Sequence, residues 1–370
     1  MGDESVKVEW WSVDTSALDL EYISEVVASG FPNEGPVAIE VEKYFQTLLG
    51  VKHAILTTSG TTAIFLALKS IGIGPGDRVG VPNLTFIATA NAVALTGAEP
   101  VLLEILPDTL SLDPNYLLKV HTENPLDALV PVHVSGRSAL SPELCLVLES
   151  HGLRFIEDAA EALASKDPAT GRYLGTLGNA GAFSFSPNKI VTSGQGGLVV
   201  TNDDEIALKI RELKDQGRPT RGTGGDDIHH SLGFNFKFTD LQAALLKSQL
   251  KKLDSRIFHL RSIYEYYLAN VDSDIEMLKF DSMKGELPLW PEIRIKNRSK
   301  MEQHLKDNGI GFRNIWHPLS TQEPYKYQNL VLPQSETAAR EILWLPSAFS
   351  LTPEKLEKVV KTLNSFKEIK

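Results

Sequence analysis

The sequence predicts an α/β protein, with a mostly parallel central sheet in a large domain and a smaller α/β C-terminal domain. Three observations carry that reading. Between about residues 54 and 201, short β-rich runs alternate with amphipathic or Ala-rich stretches of helical length. Several runs are apolar almost without interruption, as strands are when helices cover both faces of a sheet. Past residue 201 the texture changes to long helical stretches and then to mixed short elements, which marks a second unit. The expected division is 1–250, an N-terminal segment with the large domain, and 251–370, a long connecting helix with the small domain.

Taken in order, Ala54 to Thr58 reads as a strand and Gly60 to Ser70 as a helix with apolar residues at Ile64, Leu66, Ala67 and Leu68. Arg78 to Pro82 is a short strand, Phe86 to Leu95 an Ala-rich helix and Pro100 to Ile105 a strand. Leu129 to Val134 and Leu153 to Glu157 are further apolar strands. Gly181 to Ser186 and Gly197 to Thr201 form a strand pair flanking the loop that holds Lys189. Asp203 to Gln216 is a helix, and the Gly-rich, charged Gly217 to Asp227 is a mobile or interface loop. Thr239 to Asn270 contains no Pro or Gly and is expected as one long helix. Beyond it, strands at Glu292 to Ile295 and Leu343 to Pro346 mix with helices at Ser299 to Asn308 and Pro353 to Ile369.

Composition narrows the function classes. Of 370 residues, 42% are hydrophobic and 23% charged, which fits a globular chain and excludes a fibrous or disordered one. Lys and Arg number 37 against 47 Asp and Glu, a net charge of −10. That balance, without a helix-turn-helix bearing a basic recognition helix, argues against nucleic-acid binding, while leaving room for a local basic pocket. Cys145 is the single cysteine, so neither an intramolecular disulfide nor a cysteine-cluster zinc site exists. His133, His229 and His230 make no metal-ligand set with nearby acids. The longest apolar stretch, Phe86 to Leu106, is interrupted by Thr89, Asn91, Glu99, Pro100 and Glu104 and does not read as a membrane span. Met1 to Ser5 is acidic and leads into no apolar segment, and Val6 stands where a myristoylation signal needs Ser or Thr. The expectation is a soluble, cytoplasmic protein. Trp10-Trp11 is expected to pack on a partner subunit, and Phe258, Tyr264, Tyr266 and Tyr267 to fill core or interdomain space.

Parallel α/β sheets bind ligands at the carboxyl ends of their strands. After the first strand, Ser59-Gly60-Thr61-Thr62 opens a helix. Its glycine and first-turn N–H groups suit a phosphate, although Ser59 or Thr61 serving as an ordinary N-cap explains the motif equally. Asp158, after another strand, precedes Ala159-Ala160-Glu161-Ala162. It reads either as a helix cap or as a carboxylate beside a small-residue platform for a flat ligand. Lys189 follows Phe183-Ser184-Phe185-Ser186-Pro187-Asn188 and precedes Thr192-Ser193-Gly194-Gln195-Gly196-Gly197. Most lysines are solvated surface charges. A phosphate cradle, a carboxylate and a lysine at three strand ends, however, suit a phosphorylated aldehyde with a protonatable pyridine ring.

With those motifs in place the chain resembles the DegT/DnrJ/StrS sugar aminotransferases, a branch of the fold-type I pyridoxal-phosphate enzymes. The likeness rests on Ser29-Gly30 and Gly35-Pro36, Thr58 to Ala63, Gly76-Asp77, Val81-Pro82, Thr85 to Ala92 and Glu157 to Ala162. It continues through Phe183 to Gly197, Gly233 to Lys237, Asp240 to Ala244, Gly311 to Pro318 and Leu345-Pro346. The resemblance implies a fold-type I aminotransferase using pyridoxal 5'-phosphate. Lys189 would hold the cofactor covalently and move the proton at the substrate carbon. Asp158 would pair with the ring nitrogen, Phe86 would stack on the ring, and Gly60, Thr61 and Ser184 would hold the phosphate. Asn235 would reach the phosphate bound by the neighbouring subunit, which implies a homodimer with a shared active site. Glu161 stands where many members have Gln, near the cofactor's phenolic oxygen. An ionised carboxylate would repel that oxygen, so Glu161 is expected to be protonated or to serve another role.

The departures bear on substrate. The family's Val-His-Leu-Tyr-Gly loop reads Val132-His133-Val134-Ser135-Gly136-Arg137 here, and Gln195 replaces a frequent acidic residue. His133, Arg137 and His317 are the candidate substrate residues, with Arg137 facing a carboxylate or phosphate. The implied reaction is a ping-pong transfer from L-glutamate, released as 2-oxoglutarate, to a keto-deoxy sugar carrying a nucleotide, in deoxyamino-sugar, polysaccharide or lipopolysaccharide biosynthesis. The alternatives are a lyase or dehydratase on the same scaffold, an aminotransferase for a free eight- or nine-carbon keto sugar acid, and a non-enzymatic regulator. Relatives that act as dehydratases have histidine in place of the lysine, and Lys189 argues against that branch.

Overall fold

The computed structural model describes residues 7–218 and 228–367. Two helices come first, α1 (Ala17–Ser29) and α2 (Pro36–Leu49). Strands and helices then alternate: β1 (His53–Thr57), α3 (Gly60–Ser70), β2 (Arg78–Pro82), α4 (Ala88–Leu95), β3 (Glu99–Leu103), α5 (Pro114–Glu123), β4 (Ala128–Leu129), α6 (Pro142–His151) and β5 (Arg154–Asp158). β6 (Ala180–Ser184) and β7 (Gly197–Thr201) lie on either side of the Lys189 loop, followed by α7 (Asp204–Lys214), α8 (Asp240–Leu250) and α9 (Leu253–Asn270). The C-terminal elements are β8 (Glu276–Met277), β9 (Glu292–Arg294), α10 (Arg298–Asp307), β10 (Arg313–Asn314), α11 (Pro333–Glu341), β11 (Ile342–Trp344) and α12 (Pro353–Ser365).

The large sheet has the order β1-β7-β6-β5-β4-β2-β3. β7 runs antiparallel to β1 and β6, and the remaining neighbours pair in parallel. Both faces are covered, which is why the strands read as continuous apolar runs. Along β1, Ile55 joins the core on one face and Leu56 the core on the other; along β6, Ala182 and Phe183 divide in the same way. Ser184 pairs with Gly197 at the mouth of the β6–β7 connection, and Gly197 pairs with Thr57 at the end of β1. The carboxyl ends of β1 and β6 therefore meet at the Lys189 loop, with β5 and its terminal Asp158 next to β6.

The second sheet, β10-β11-β9-β8, is antiparallel. Val8 reaches it from the other end of the chain: its N–H donates to Gly309 O (2.9 Å), and Gly311 N–H donates to Val8 O (2.7 Å). Among the described residues no helix is long and apolar enough to cross a membrane.

Several sequence expectations need correction. The stretch from Thr239 to Asn270 is two helices. α8 ends at Leu250 and α9 begins at Leu253, with Leu250 and Leu253 both buried across the turn. The turn lets Lys252 and Arg256 both reach Asp14 Oδ2, at 3.1 and 2.9 Å. The strand expected over Leu129 to Val134 keeps only Ala128–Leu129. Val132 makes a single bridge to Asp158, and the chain then coils through Val134–Gly136 with Ser135 at φ 53°. Tyr264 and Tyr267 are fully buried as expected, but Phe258 is 74% exposed. Most of the loop expected over Gly217 to Asp227 lies outside the described residues.

Candidate active site

The ends of β1, β5 and β6 open on a cavity of ≈ 480 Å³ lined by Gly60, Thr61, Phe86, Asp158, Glu161, Ser184 and Lys189. These are seven of the eight residues to which the sequence assigns the cofactor. The eighth, Asn235, is exposed and does not line the cavity of its own chain.

Each wall has a local cause. Ser59 caps α3, its Oγ accepting from Thr62 N–H (3.1 Å) while Thr62 Oγ1 accepts from Ser59 N–H (3.0 Å). The capping interpretation of Ser59 is therefore correct, and it leaves the Gly60 and Thr61 N–H groups as first-turn donors without intrahelical acceptors. Glycine is required at position 60 because Ser184 packs against it: a Cβ there would stand 2.9 Å from Ser184 Cβ. Helix start and serine hydroxyl are thus held together as one anion cradle.

Asp158 ends β5 and is 5% exposed. Its Oδ2 accepts from Thr89 Oγ1 (2.8 Å) and its Oδ1 from Ala160 N–H (3.1 Å). Burial pushes the carboxyl above its ordinary range, opposed by those two hydrogen bonds and by the charge of Lys189. Phe86, 52% exposed, offers an aromatic face from the connection between β2 and α4, three residues before Thr89.

Lys189 Nζ lies 3.3 Å from Glu161 Oε1 and 4.9 Å from the centre of the Trp290 ring. Glu161 is fixed at its other oxygen, Oε2, by the Ser135 N–H (2.9 Å). Burial pushes Glu161 up as well, and Lys189 and the Ser135 N–H oppose that shift. The left-handed backbone of Ser135 turns its N–H toward Glu161.

The substrate candidates fare differently. His133 is fully buried and does not line the cavity. Its Nδ1 accepts from Ala139 N–H (3.0 Å), so Nε2 carries the proton and donates to Glu157 Oε2 (3.0 Å). Arg137 is 4% exposed and bound to Glu292 Oε2 (2.7 Å), Lys279 O (3.0 Å) and Thr109 O (3.3 Å), with Phe280 under its guanidinium at 4.0 Å. Both side chains have their polar groups engaged inside the protein, which corrects their assignment to substrate. His317 is exposed and lines an adjoining cavity of ≈ 520 Å³. Within its own chain Trp10 packs against Trp290 and Trp344, with ring centres 5.5 and 6.2 Å away.

Sequence reasoning missed Thr89, Trp290 and Arg313. Thr89 sits inside a quoted motif, one helical turn after Thr85. The signal for the other two is that the tryptophans at 10, 11, 290, 316 and 344, far apart in the chain, assemble into one cluster beside Lys189.

A buried carboxylate without a cationic partner of its own, an exposed aromatic face, a phosphate cradle and a lysine surround one cavity of suitable size, so the residues present fit pyridoxal phosphate. These features define the class, an aldehyde-cofactor enzyme of the aminotransferase fold. The DegT/DnrJ/EryC1/StrS aminotransferase family model matches residues 14–364, and the chain belongs to that family. It is 35% identical over 357 residues to a GDP-perosamine synthase of Caulobacter vibrioides, covering 94% of this chain and 92% of that one. Its fold matches S. venezuelae DesV in complex with a ketimine intermediate at a TM-score of 0.90, with 30% identity over 98% and 100% of the two chains. It matches NtdA from Bacillus subtilis with bound pyridoxamine phosphate at 0.88, with 26% identity over 98% and 85%. The protein is a pyridoxal-phosphate-dependent aminotransferase of fold type I.

Proposed function

We propose that this enzyme transfers an amino group from L-glutamate to the keto group of a nucleotide-linked keto-deoxy sugar, in two half-reactions with the donor first. The observation that carries the reading is Lys189 Nζ, 3.3 Å from Glu161 Oε1, in the same cavity as buried Asp158. The similarity to a GDP-perosamine synthase supports a nucleotide as the sugar's handle.

Pyridoxal phosphate supplies an aldehyde that takes up the amine and a ring that accepts electrons when the adjacent C–H bond breaks. This chain's residues do the rest. Gly60, Thr61 and Ser184 bind the phosphate through backbone N–H and hydroxyl donors. Asp158, held by Thr89 and Ala160, keeps a proton on the ring nitrogen. Phe86 sets the plane of the ring. Lys189 holds the aldehyde between turnovers, and its Nζ takes and returns the proton at the substrate carbon. Glu161, with Oε2 fixed by Ser135, leaves Oε1 to orient Nζ. Asn235, outside its own cavity, serves the phosphate of the partner subunit in a homodimer, and the enzyme works in the cytoplasm on precursors of deoxyamino sugars.

The test is sequential. Enzyme mixed with L-glutamate alone should release one 2-oxoglutarate per active site. Subsequent addition of keto sugars, nucleotide-linked and free, should consume the stored amine and yield an amino sugar with the nucleotide-linked members. No 2-oxoglutarate, or an eliminated rather than aminated sugar, would replace this reading with a lyase or dehydratase.

A further inference from the structure

We infer that Arg313 is the oxyanion anchor of this active site, the group that recognises a carboxylate or phosphate on the incoming substrate; this rests on the reading of the cavity given above. Arg313 begins β10 and lines both the main cavity and the adjoining one, with Trp316 shared between them. Apart from Lys189, it is the only Lys or Arg in the wall of the main cavity among the described residues.

Its surroundings differ from those of three other buried or half-buried arginines. Arg137, Arg256 and Arg294 each bind a carboxylate and at least one backbone carbonyl. The guanidinium of Arg313 instead rests against two indoles, 5.3 Å from the centre of Trp10 and 5.5 Å from that of Trp344. No carboxylate lies within ion-pair distance of it among the described residues, and its side chain donates no hydrogen bond there. The indoles engage the cation through its charge and accept no hydrogen bond from it, which leaves its N–H donors unused. A fork of donors fixed in orientation suits bidentate contact with an oxyanion.

Both proposed substrates carry such a group. The amino donor brings carboxylates and the sugar brings a phosphate, and in a two-step reaction they occupy the same cavity in turn. Lys189 is engaged by Glu161 and the cofactor, which leaves Arg313 as the cation free for either. On the side of the second cavity stand His317 and Lys306, both exposed, and Glu302, whose carboxylate is already bound by Arg298 (3.0 Å). An anionic handle extending that way meets net positive charge.

The experiment uses the holoenzyme and two probes, inorganic pyrophosphate for the phosphate source and glutarate for the dicarboxylate source. Binding is followed by intrinsic fluorescence, to which the indoles under Arg313 contribute. Arg313→Gln should weaken binding of at least one probe by about ten-fold or more, as loss of a charged hydrogen-bonding partner does. Arg313→Lys, which keeps the charge and loses the fork, should recover part of it. Loss confined to pyrophosphate assigns the anchor to the sugar's handle, loss confined to glutarate assigns it to the donor, and loss of both makes it common. Unchanged affinity for both probes, or release of the cofactor by Arg313→Gln, overturns the inference. If Arg313→Gln leaves anion binding intact while glutamate still yields 2-oxoglutarate, only the anchor fails. If anion binding falls but wild-type enzyme yields no 2-oxoglutarate, the anchor stands and the transaminase reading fails.

Discussion

At the residue scale, the site places function against stability in one side chain. Asp158 is buried with two hydrogen bonds and no cation within ion-pair distance among the described residues, and burial raises its pKa above the ordinary 3.8. A carboxyl raised by folding contributes stability that is fully present below its unfolded value and is lost as pH rises through its folded value. Cofactor-free Asp158→Asn should therefore be more stable than wild type at neutral pH, with the gap closing as pH falls through the raised folded value and gone by 3.8, as followed by thermal melting. The same variant should turn over about 10²–10³-fold more slowly, because a neutral amide cannot hold the ring nitrogen protonated. Thr89→Val removes the hydroxyl that donates to Asp158 Oδ2 and should weaken cofactor binding while leaving the fold intact, measured by titrating apoenzyme with pyridoxal phosphate. That Lys189 and Asp158 share a cavity was legible because strand ends in parallel sheets are where ligands bind. His133 and Arg137 were misread for a different reason. A sequence shows that a charged or polar group exists but not which partners already occupy it, and Glu157 and Glu292 come from other strands.

Elements are held by single carboxylates at their ends. Asp240, in the first turn of α8, accepts from the N–H groups of Gly35 (2.9 Å), Val37 (3.1 Å) and Ala38 (2.9 Å), capping α2 from more than two hundred residues away. This gives a structural reason for two motifs, Gly35-Pro36 and Asp240 to Ala244, that the sequence offered without one. Asp240→Ala would orphan three backbone donors and should cost roughly 2–4 kcal/mol, read as a lower denaturation midpoint in urea with unchanged slope. Several elements of the central sheet were legible to the residue, since periodicity and β-branched runs agreed there: Gly60–Ser70, Arg78–Pro82 and Gly197–Thr201 fall as expected, whereas α5 and α6 were not read and β4 is far shorter than the strand expected there. The α8–α9 break was not, because no Gly or Pro marks it. What bends the chain at Lys251 and Lys252 is the packing of Leu250 and Leu253 and the pull of Asp14, both long-range. α1 was equally hidden, since its Leu20 and Val27 are 67% and 64% exposed and blur the buried stripe.

Across the whole molecule, the two sheets are joined next to the active site by one buried network. Glu292 of β9, fully buried, accepts from Arg137 (2.7 Å), Ser135 Oγ (2.6 Å) and Trp344 Nε1 (3.1 Å). Ser135 in turn holds Glu161, and Glu161 faces Lys189. The turn that departs from the family's usual loop is thus a structural joint linking the second sheet to the lysine. Arg137→Ala should cost about 3–5 kcal/mol by leaving Glu292 buried and unpaired, with the loss appearing in unfolding midpoints. A substrate-binding arginine would instead raise KM with stability unchanged. The central claim is that one amine, on Lys189, carries the cofactor. Borohydride reduction of the resting holoenzyme, followed by peptide mass mapping, tests it most directly. The account predicts a pyridoxyl-phosphate adduct on Lys189, and its disappearance when L-glutamate is added before the reductant. An adduct on another lysine, or one on Lys189 that survives glutamate, would contradict it.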